Sequence, residues 1–200
     1  MPQTLYVQQR SSATRQRICD SFACLLEELP FESIGTKEIT EHAGCSVGVF
    51  YRHFTDKAEL LRELYRQYGV ERSNLKATYL AKKNWENLNL EDTVSRLVRT
   101  SLDEYEQRAG LFQAFSRLPN HEEPSRNKMD VLFAGIEEIL LPFCGHFPNP
   151  TRAARFAFLI ISSTGKSTFV SPGALTRFND FDRTILETEL NRILLAYLRP

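Results

Sequence analysis

The chain has 200 residues, with 25 lysines and arginines balanced by 25 aspartates and glutamates, and 42% of the residues are hydrophobic. That is enough apolar material for one sizeable core or two small ones, and it excludes disordered, collagenous and coiled-coil classes. A formal net charge of zero gives no bulk attraction to nucleic acid or to an acidic membrane, so any DNA binding has to be local. The longest apolar runs, Ala157 to Ile161 and Ile139 to Phe143, are far shorter than the roughly 20 residues of a membrane helix. The opening segment MPQTLYVQQRSSATRQR has no apolar stretch of signal-peptide length, which predicts a cytoplasmic protein. Cys19, Cys24, Cys45 and Cys144 lack CxxC spacing, so neither a disulfide nor a metal site is expected, and no cofactor is implied.

Apolar residues recur at helical spacing almost throughout, which predicts an all-α fold. Ile18, Phe22, Leu25, Leu26 and Leu29 form one stripe on a first helix, about 14–29, that Pro30 stops. Arg10, Arg15 and Arg17 lie near its start with no acid among the first nineteen residues, a modest basic excess. A short second helix, 36–43, has Thr36 as its expected N-cap and Gly44 just past its end. Ser46 caps a third helix through His53, and Asp56 caps a fourth, 56–78, with Glu59 completing a D-x-x-E box. Leu60, Leu61, Leu64, Tyr65 and Tyr68 give the fourth helix its buried face. Polar breaks at 82–89, 119–124, 145–150 and 171–180 then mark helices near 90–108, 109–118, 125–143, 150–169 and 180–198. The expected organisation is a DNA-binding unit over 1–70, connected through helix 56–78 to a second helical domain over 80–200.

The stretch from Thr36 to Leu61 meets the demands of a helix-turn-helix. Ala43 is small where two helices cross, and Gly44 gives the turn its backbone freedom. The second helix of such a unit enters the major groove by its N-terminus, which puts Ser46, Val47, Gly48 and Val49 nearest the base edges. Phe50 and Phe54, four residues apart, are expected to anchor that helix while Tyr51, Arg52 and His53 reach outward. The tyrosine hydroxyl, the imidazole and Lys57 are suitable phosphate donors, the helix N-termini at Thr36 and Asp56 add backbone N–H groups, and Lys37 is a further DNA-binding candidate. A cation is unfavourable in the first turn of a helix, so a phosphate partner is the expected reason for Lys57.

Thr36, Ile39, Ala43, Gly44, Ser46, Gly48, Phe50, Tyr51, His53, Phe54, Lys57 and Leu60, with the amphipathic first helix and Phe31, resemble the DNA-binding segment of the TetR family of bacterial transcriptional regulators. The resemblance covers roughly residues 13–68. Thr40, Cys45 and Pro30 depart from it without removing a donor from the DNA face. It implies a homodimer, phosphate contacts at Thr36, Tyr51, His53 and Lys57, and a base-reading edge at Ser46 through Val49. It also implies that the second domain is a helical bundle for effector binding and dimerisation, whose last two helices pair with their mates.

For a small-molecule effector, Phe112, Phe115, Phe133, Arg117, His121 and Ser162 are the candidates. The phenylalanines fit a pocket and an ordinary bundle core equally well. Phe156, Ile160, Leu186, Leu190, Ile193, Leu194 and Tyr197 are the expected dimer interface. A twofold dimer places two recognition helices roughly 34 to 36 Å apart and predicts a palindromic operator in double-stranded DNA. The function expected is a ligand-responsive regulator, a repressor rather than an activator, with no catalytic activity, since no P-loop, G-x-S-x-G elbow or HExxH stands in the sequence. The alternative is a helical interaction module that uses its helix-turn-helix for a protein partner.

Overall fold

The computed structural model describes residues 2–118, 126–170 and 182–200. These residues form α1 (Pro2–Glu28), α2 (Thr36–His42), α3 (Val47–His53), α4 (Lys57–Thr78), α5 (Leu90–Gln107), α6 (Ala109–Phe115), α7 (Arg126–Leu140), α8 (Pro150–Gly165) and α9 (Arg183–Leu198). Short 3-10 turns occupy Phe31–Ser33, Lys82–Asn84 and Leu141–Phe143, and a π-helical turn over Lys166–Val170 follows α8. Among the described residues there is no strand, as expected, and no helix is long and apolar enough to cross a membrane. The expected breaks at 119–124 and 171–180 lie outside the described residues.

The first helix starts at Pro2 rather than near residue 14. An apolar stripe reports where a helix is buried, and the polar residues ahead of Ile18 contain no breaker after a proline that suits the first helical position. At the other end α1 stops at Glu28, which leaves Leu29 39% exposed and off the buried stripe. The N-cap of α2 is Gly35, not Thr36, and the Gly35 N–H donates to Glu38 Oε2 at 3.0 Å. Asp56 caps α4 as expected, its Oδ1 accepting from Glu59 N at 2.7 Å. The Glu59 carboxylate reaches back one residue further than a standard box, accepting from the N–H and hydroxyl of Thr55 at 2.6 and 2.7 Å.

The chain divides into two compact units. One comprises Met1–Tyr68 with Gly110–Glu122, the other Gly69–Ala109 with Glu123–Pro200. In the first, Ile18, Phe22, Leu25 and Leu26 of α1 are buried together with Ile34, Ile39, Phe50, Phe54, Leu60, Leu61 and Leu64. The segment carrying α6 belongs to this unit although the sequence placed it in the second domain. Glu27 caps α6, its two carboxylate oxygens accepting from Gly110 N at 2.9 Å and Leu111 N at 3.1 Å. Phe115 lies edge-on to Tyr65 at 5.0 Å, and Phe112 packs on Tyr68 at 5.4 Å.

In the second unit α5 contributes Val94, Leu97, Val98 and Leu102 to a core completed by Ala153, Ala154, Ala157 and Ile161 of α8 and Leu190, Leu194 and Leu198 of α9. Alanines on α8 allow close helix approach, and the burial of these apolar side chains is the main source of stability. Asn89, Asn149 and Asp182 cap α5, α8 and α9 through side-chain oxygens that accept from the backbone N–H three residues on. Arg183 ties the start of α9 to Asp103 and Glu106 of α5 at 2.6 and 2.7 Å.

Candidate nucleic-acid interface

The turn between α2 and α3 is a helix stop built from backbone chemistry. Gly44 has φ of +60°, a conformation that glycine adopts without a Cβ penalty. That conformation lets Gly44 N donate to Glu41 O at 3.1 Å and Cys45 N to Thr40 O at 2.9 Å, the paired bonds that close the end of α2. Ala43 and Ile39 are buried at the crossing, as expected. Ser46 then opens α3, its hydroxyl accepting from Val49 N at 3.3 Å.

Helix α3 has two distinct sides. Phe50 and Phe54 are buried, their rings tilted to each other with centroids 5.8 Å apart, and fix the helix to the first unit. Opposite them Val47 is 42% exposed and Tyr51 57% exposed, one turn apart. Ser46, Gly48 and Arg52 are exposed, and Val49 and His53 are half-buried. The candidate base-reading edge is therefore an open ridge with a glycine in its first turn, a shape that a groove floor can approach closely. Lys37 is exposed on α2 beside Glu41 at 3.8 Å, and Thr36 is half-buried at the first helical position.

Two cations near this face are held internally. Arg15 donates from Nη1 to His53 O at 2.8 Å, lies 4.3 Å over the Phe54 ring and sits 3.4 Å from Glu63. It fastens the end of α3 to α1 and α4. Arg15 belongs to the basic excess near the start of α1, yet its position three residues before Ile18 puts it on the same helix face as the stripe. Lys57 donates from Nζ to Phe31 O at 2.6 Å and Ile34 O at 2.7 Å, and lies 4.1 Å over the Phe31 ring. Burial pushes its pKa below the usual lysine value. These carbonyls account for a cation in the first turn of α4 without a phosphate, which removes the argument that singled Lys57 out. His53 is also held below its ordinary pKa, chiefly by burial and then by Arg15 and Arg52. At neutral pH its imidazole is a neutral hydrogen-bonding group rather than a counter-ion.

The described effector candidates divide between the two units. Phe112 and Phe115 pack on Tyr68 and Tyr65 within the first unit, and Arg117 pairs with Glu32 there and covers the Phe31 ring at 5.8 Å. Phe133 and Ser162 belong to the second unit, where Phe133 packs on Phe158 at 5.4 Å and the Ser162 hydroxyl donates to Leu159 O. His121 lies outside the described residues. None of the described candidates is among the described residues that line the cavity of about 700 Å³ in the second unit, which is walled by Leu80, Trp85, Glu86 and Leu88 ahead of α5 and by Glu138, Ile139, Leu141, Pro142 and Phe143 at the end of α7. The sequence reading took 82–89 for a polar break. Trp85 in its middle is buried and donates from Nε1 to Tyr79 O at 2.8 Å.

The expected dimer residues also divide. Leu186, Leu190 and Leu194 are buried in the core of their own unit, so their area is not available to a partner, a correction to the expected interface. Phe156 and Ile193 are both 48% exposed, Ile160 and Tyr197 are half-buried, and Phe156 packs on Tyr197 at 5.5 Å. Leu159 and Ile185 join them as exposed large apolar side chains on α8 and α9 that the sequence reading did not name.

Residues 23–64 match the family profile described as bacterial regulatory proteins, tetR family. A sequence comparison with curated proteins finds no match. Among solved structures, a putative TetR-family transcriptional regulator from Mesorhizobium loti superposes with a TM-score of 0.71 at 18% identity, over 94% of this chain and 96% of that one. The regulator FadR from Bacillus subtilis, in complex with stearoyl-CoA, matches with a TM-score of 0.58 at 16% identity, over 91% of this chain and 98% of that one. NalD of Pseudomonas aeruginosa, the secondary repressor of a multidrug efflux pump, gives 0.58 at 17% identity, over 94% and 97%. The chain thus carries a helix-turn-helix segment that matches the model of the tetR family of bacterial regulatory proteins, on a fold similar to that of TetR-family transcriptional regulators.

Proposed function

We propose that the protein is a homodimeric, sequence-specific regulator that binds a palindromic operator in double-stranded DNA and is released from it by a small-molecule effector, as a repressor without catalytic activity, acting in the cytoplasm beside the chromosome. The observation that carries the DNA reading is the open ridge of α3, with Val47, Gly48, Tyr51 and Arg52 outward while Phe50 and Phe54 anchor it from behind. Exposed apolar side chains on α8 and α9, Phe156, Leu159, Ile185 and Ile193, support a twofold dimer. The cavity in the second unit supports effector binding by its size, which lies in the range of small-molecule sites. Among the structural neighbours, NalD is by its title a repressor and FadR was solved with a ligand.

The test is selection of binding sites from a random double-stranded DNA pool, with Tyr51→Ala/Arg52→Ala protein as control. Enrichment of an inverted repeat that the control loses supports the reading. Arg52→Ala should weaken binding about equally across sequences and reduce the salt slope by about one phosphate's worth, whereas changes at Val47 or Val49 should alter which sequence is chosen. If effector-free protein enriches no sequence at low salt, the DNA reading fails and the protein-interaction alternative takes its place.

A further inference from the structure

We infer that the exposed ridge of α3 reads DNA through the C5-methyl group of thymine in the major groove; this rests on the DNA-binding reading above and names the chemistry of that contact. Each base pair shows a different edge in the major groove, and each edge has its matching side chains. Arginine or lysine pairs with guanine, asparagine or glutamine with adenine, glutamate or aspartate with cytosine, and small apolar groups with the thymine methyl. The helix, VGVFYRH, contains no asparagine, glutamine, aspartate, glutamate or lysine. Arg52 lies about 100° of helix rotation past Tyr51, a flanking place from which it supplies positive charge to the phosphates rather than a guanine fork in line with Val47.

What remains on the ridge is apolar and held in place. Val47 and Tyr51 both leave large apolar surface open to solvent, and the Tyr51 ring stands edge-on to the buried Phe50 ring at 5.4 Å, which braces it as a wall. A Cβ at Gly48 would meet nothing nearer than Ser46 Oγ at 3.9 Å, so the protein's own packing does not require glycine there. Glycine in a helix lowers stability relative to alanine, and its bareness beside Val47 leaves room for a base edge. The Ser46 hydroxyl already accepts from Val49 N at 3.3 Å and keeps its proton to donate. Thymine carries an acceptor, O4, next to its methyl, whereas 5-methylcytosine, the other methylated pyrimidine, carries an amino donor there. The ridge therefore favours thymine.

Deoxyuridine keeps every hydrogen-bonding edge of thymidine and lacks only the methyl, so it isolates this contact. The experiment selects binding sites with the full-length protein from three random double-stranded pools: one with ordinary bases, one with deoxyuridine for thymidine, and one with 5-methylcytidine for cytidine. The best sequence from the ordinary pool is then remade with uracil at each thymine in turn and its affinity measured. Loss of one contacted methyl should weaken binding about fourfold, and loss of the matching methyl in both halves of an inverted repeat roughly fifteenfold. With Val47→Ala protein of unchanged helical circular dichroism, the single-uracil penalty should fall below about twofold, because the partner of the methyl is gone. A penalty that persists in Val47→Ala would assign the effect to DNA stiffness and overturn the contact. Equal enrichment of one sequence from the thymidine and deoxyuridine pools would leave the DNA-binding reading standing and sink the methyl reading alone. A preference that moves to 5-methylcytosine in the third pool would overturn thymine as the base read. No enrichment from any pool would sink both readings together.

Discussion

Gly110→Ala is a small change with a large expected effect. A Cβ built on Gly110 overlaps the carbonyl oxygen of Leu26 and lies 2.6 Å from its carbon and 3.0 Å from Glu27 Cα. All three atoms are backbone, so no side-chain rotation relieves them, and ordinary contacts of about 3.5 Å require α6 to retreat from α1 by more than about 1 Å. That retreat stretches the two bonds from Gly110 N and Leu111 N to Glu27, now 2.9 and 3.1 Å, past the limit of hydrogen bonding unless the Glu27 side chain follows. It also loosens the contacts of Phe112 and Phe115 with Tyr68 and Tyr65. Overpacking of this kind costs about 1 to 3 kcal/mol, and two weakened bonds to an exposed carboxylate add about 1 kcal/mol. The sum, about 3 kcal/mol, corresponds to a fall in Tm of about 6 to 12 °C in a chain of this size. Thermal unfolding followed by circular dichroism measures it, with Glu27→Gln, expected to cost about 1 kcal/mol, as the companion. Because both changes act on one joint, the double variant should lose less than the two single losses added together. A Gly110→Ala protein melting within 1 °C of the parent would refute the reasoning.

Lys57→Met should cost about 2 kcal/mol of stability, because the carbonyls of Phe31 and Ile34 lose a charged donor, while the salt slope of DNA binding stays unchanged. A slope reduced with stability intact would return Lys57 to the phosphate. The hydrogen bond from Arg66 pulls the Glu63 carboxyl from 4.5 to about 2, with further help from Gln67 and Arg15. The folded pKa lies below the unfolded one, so this stabilisation is complete above about pH 4.5 and is lost as pH falls toward 2. Acid titration of unfolding should show a loss of about 2 kcal/mol across that window that Glu63→Gln lacks. Ile193→Glu should convert the proposed dimer to a folded monomer in sedimentation, and a variant that stays dimeric would move the interface elsewhere.

The sequence carried the helix-turn-helix because its signals are local. A glycine at φ +60°, a serine cap and a pair of phenylalanines four apart are each read within a few residues, and each is found in place. The same locality explains what went astray. The Lys57 ammonium finds its partners at Phe31 and Ile34, more than twenty positions earlier, and Gly110 finds Glu27 more than eighty positions away. No periodicity encodes such pairings. Leu186, Leu190 and Leu194 formed a legible stripe, but a stripe does not say whether its cover comes from the same chain or from another. Trp85 was hidden by its polar neighbours, although a residue of that size rarely stays outside a core.

The placement of α6 bears on how such a regulator can be rewired. The first unit is assembled from two pieces of chain, Met1–Tyr68 and Gly110–Glu122, so the backbone passes between the units at three points. A fragment ending at Tyr68 would leave Tyr65 and Tyr68 without Phe112 and Phe115, and Glu27 without the helix it caps. A chimera that joins this helix-turn-helix unit to a different second unit therefore has to carry α6 across with it, and its designer has three junctions to place where a modular reading of the sequence suggests one.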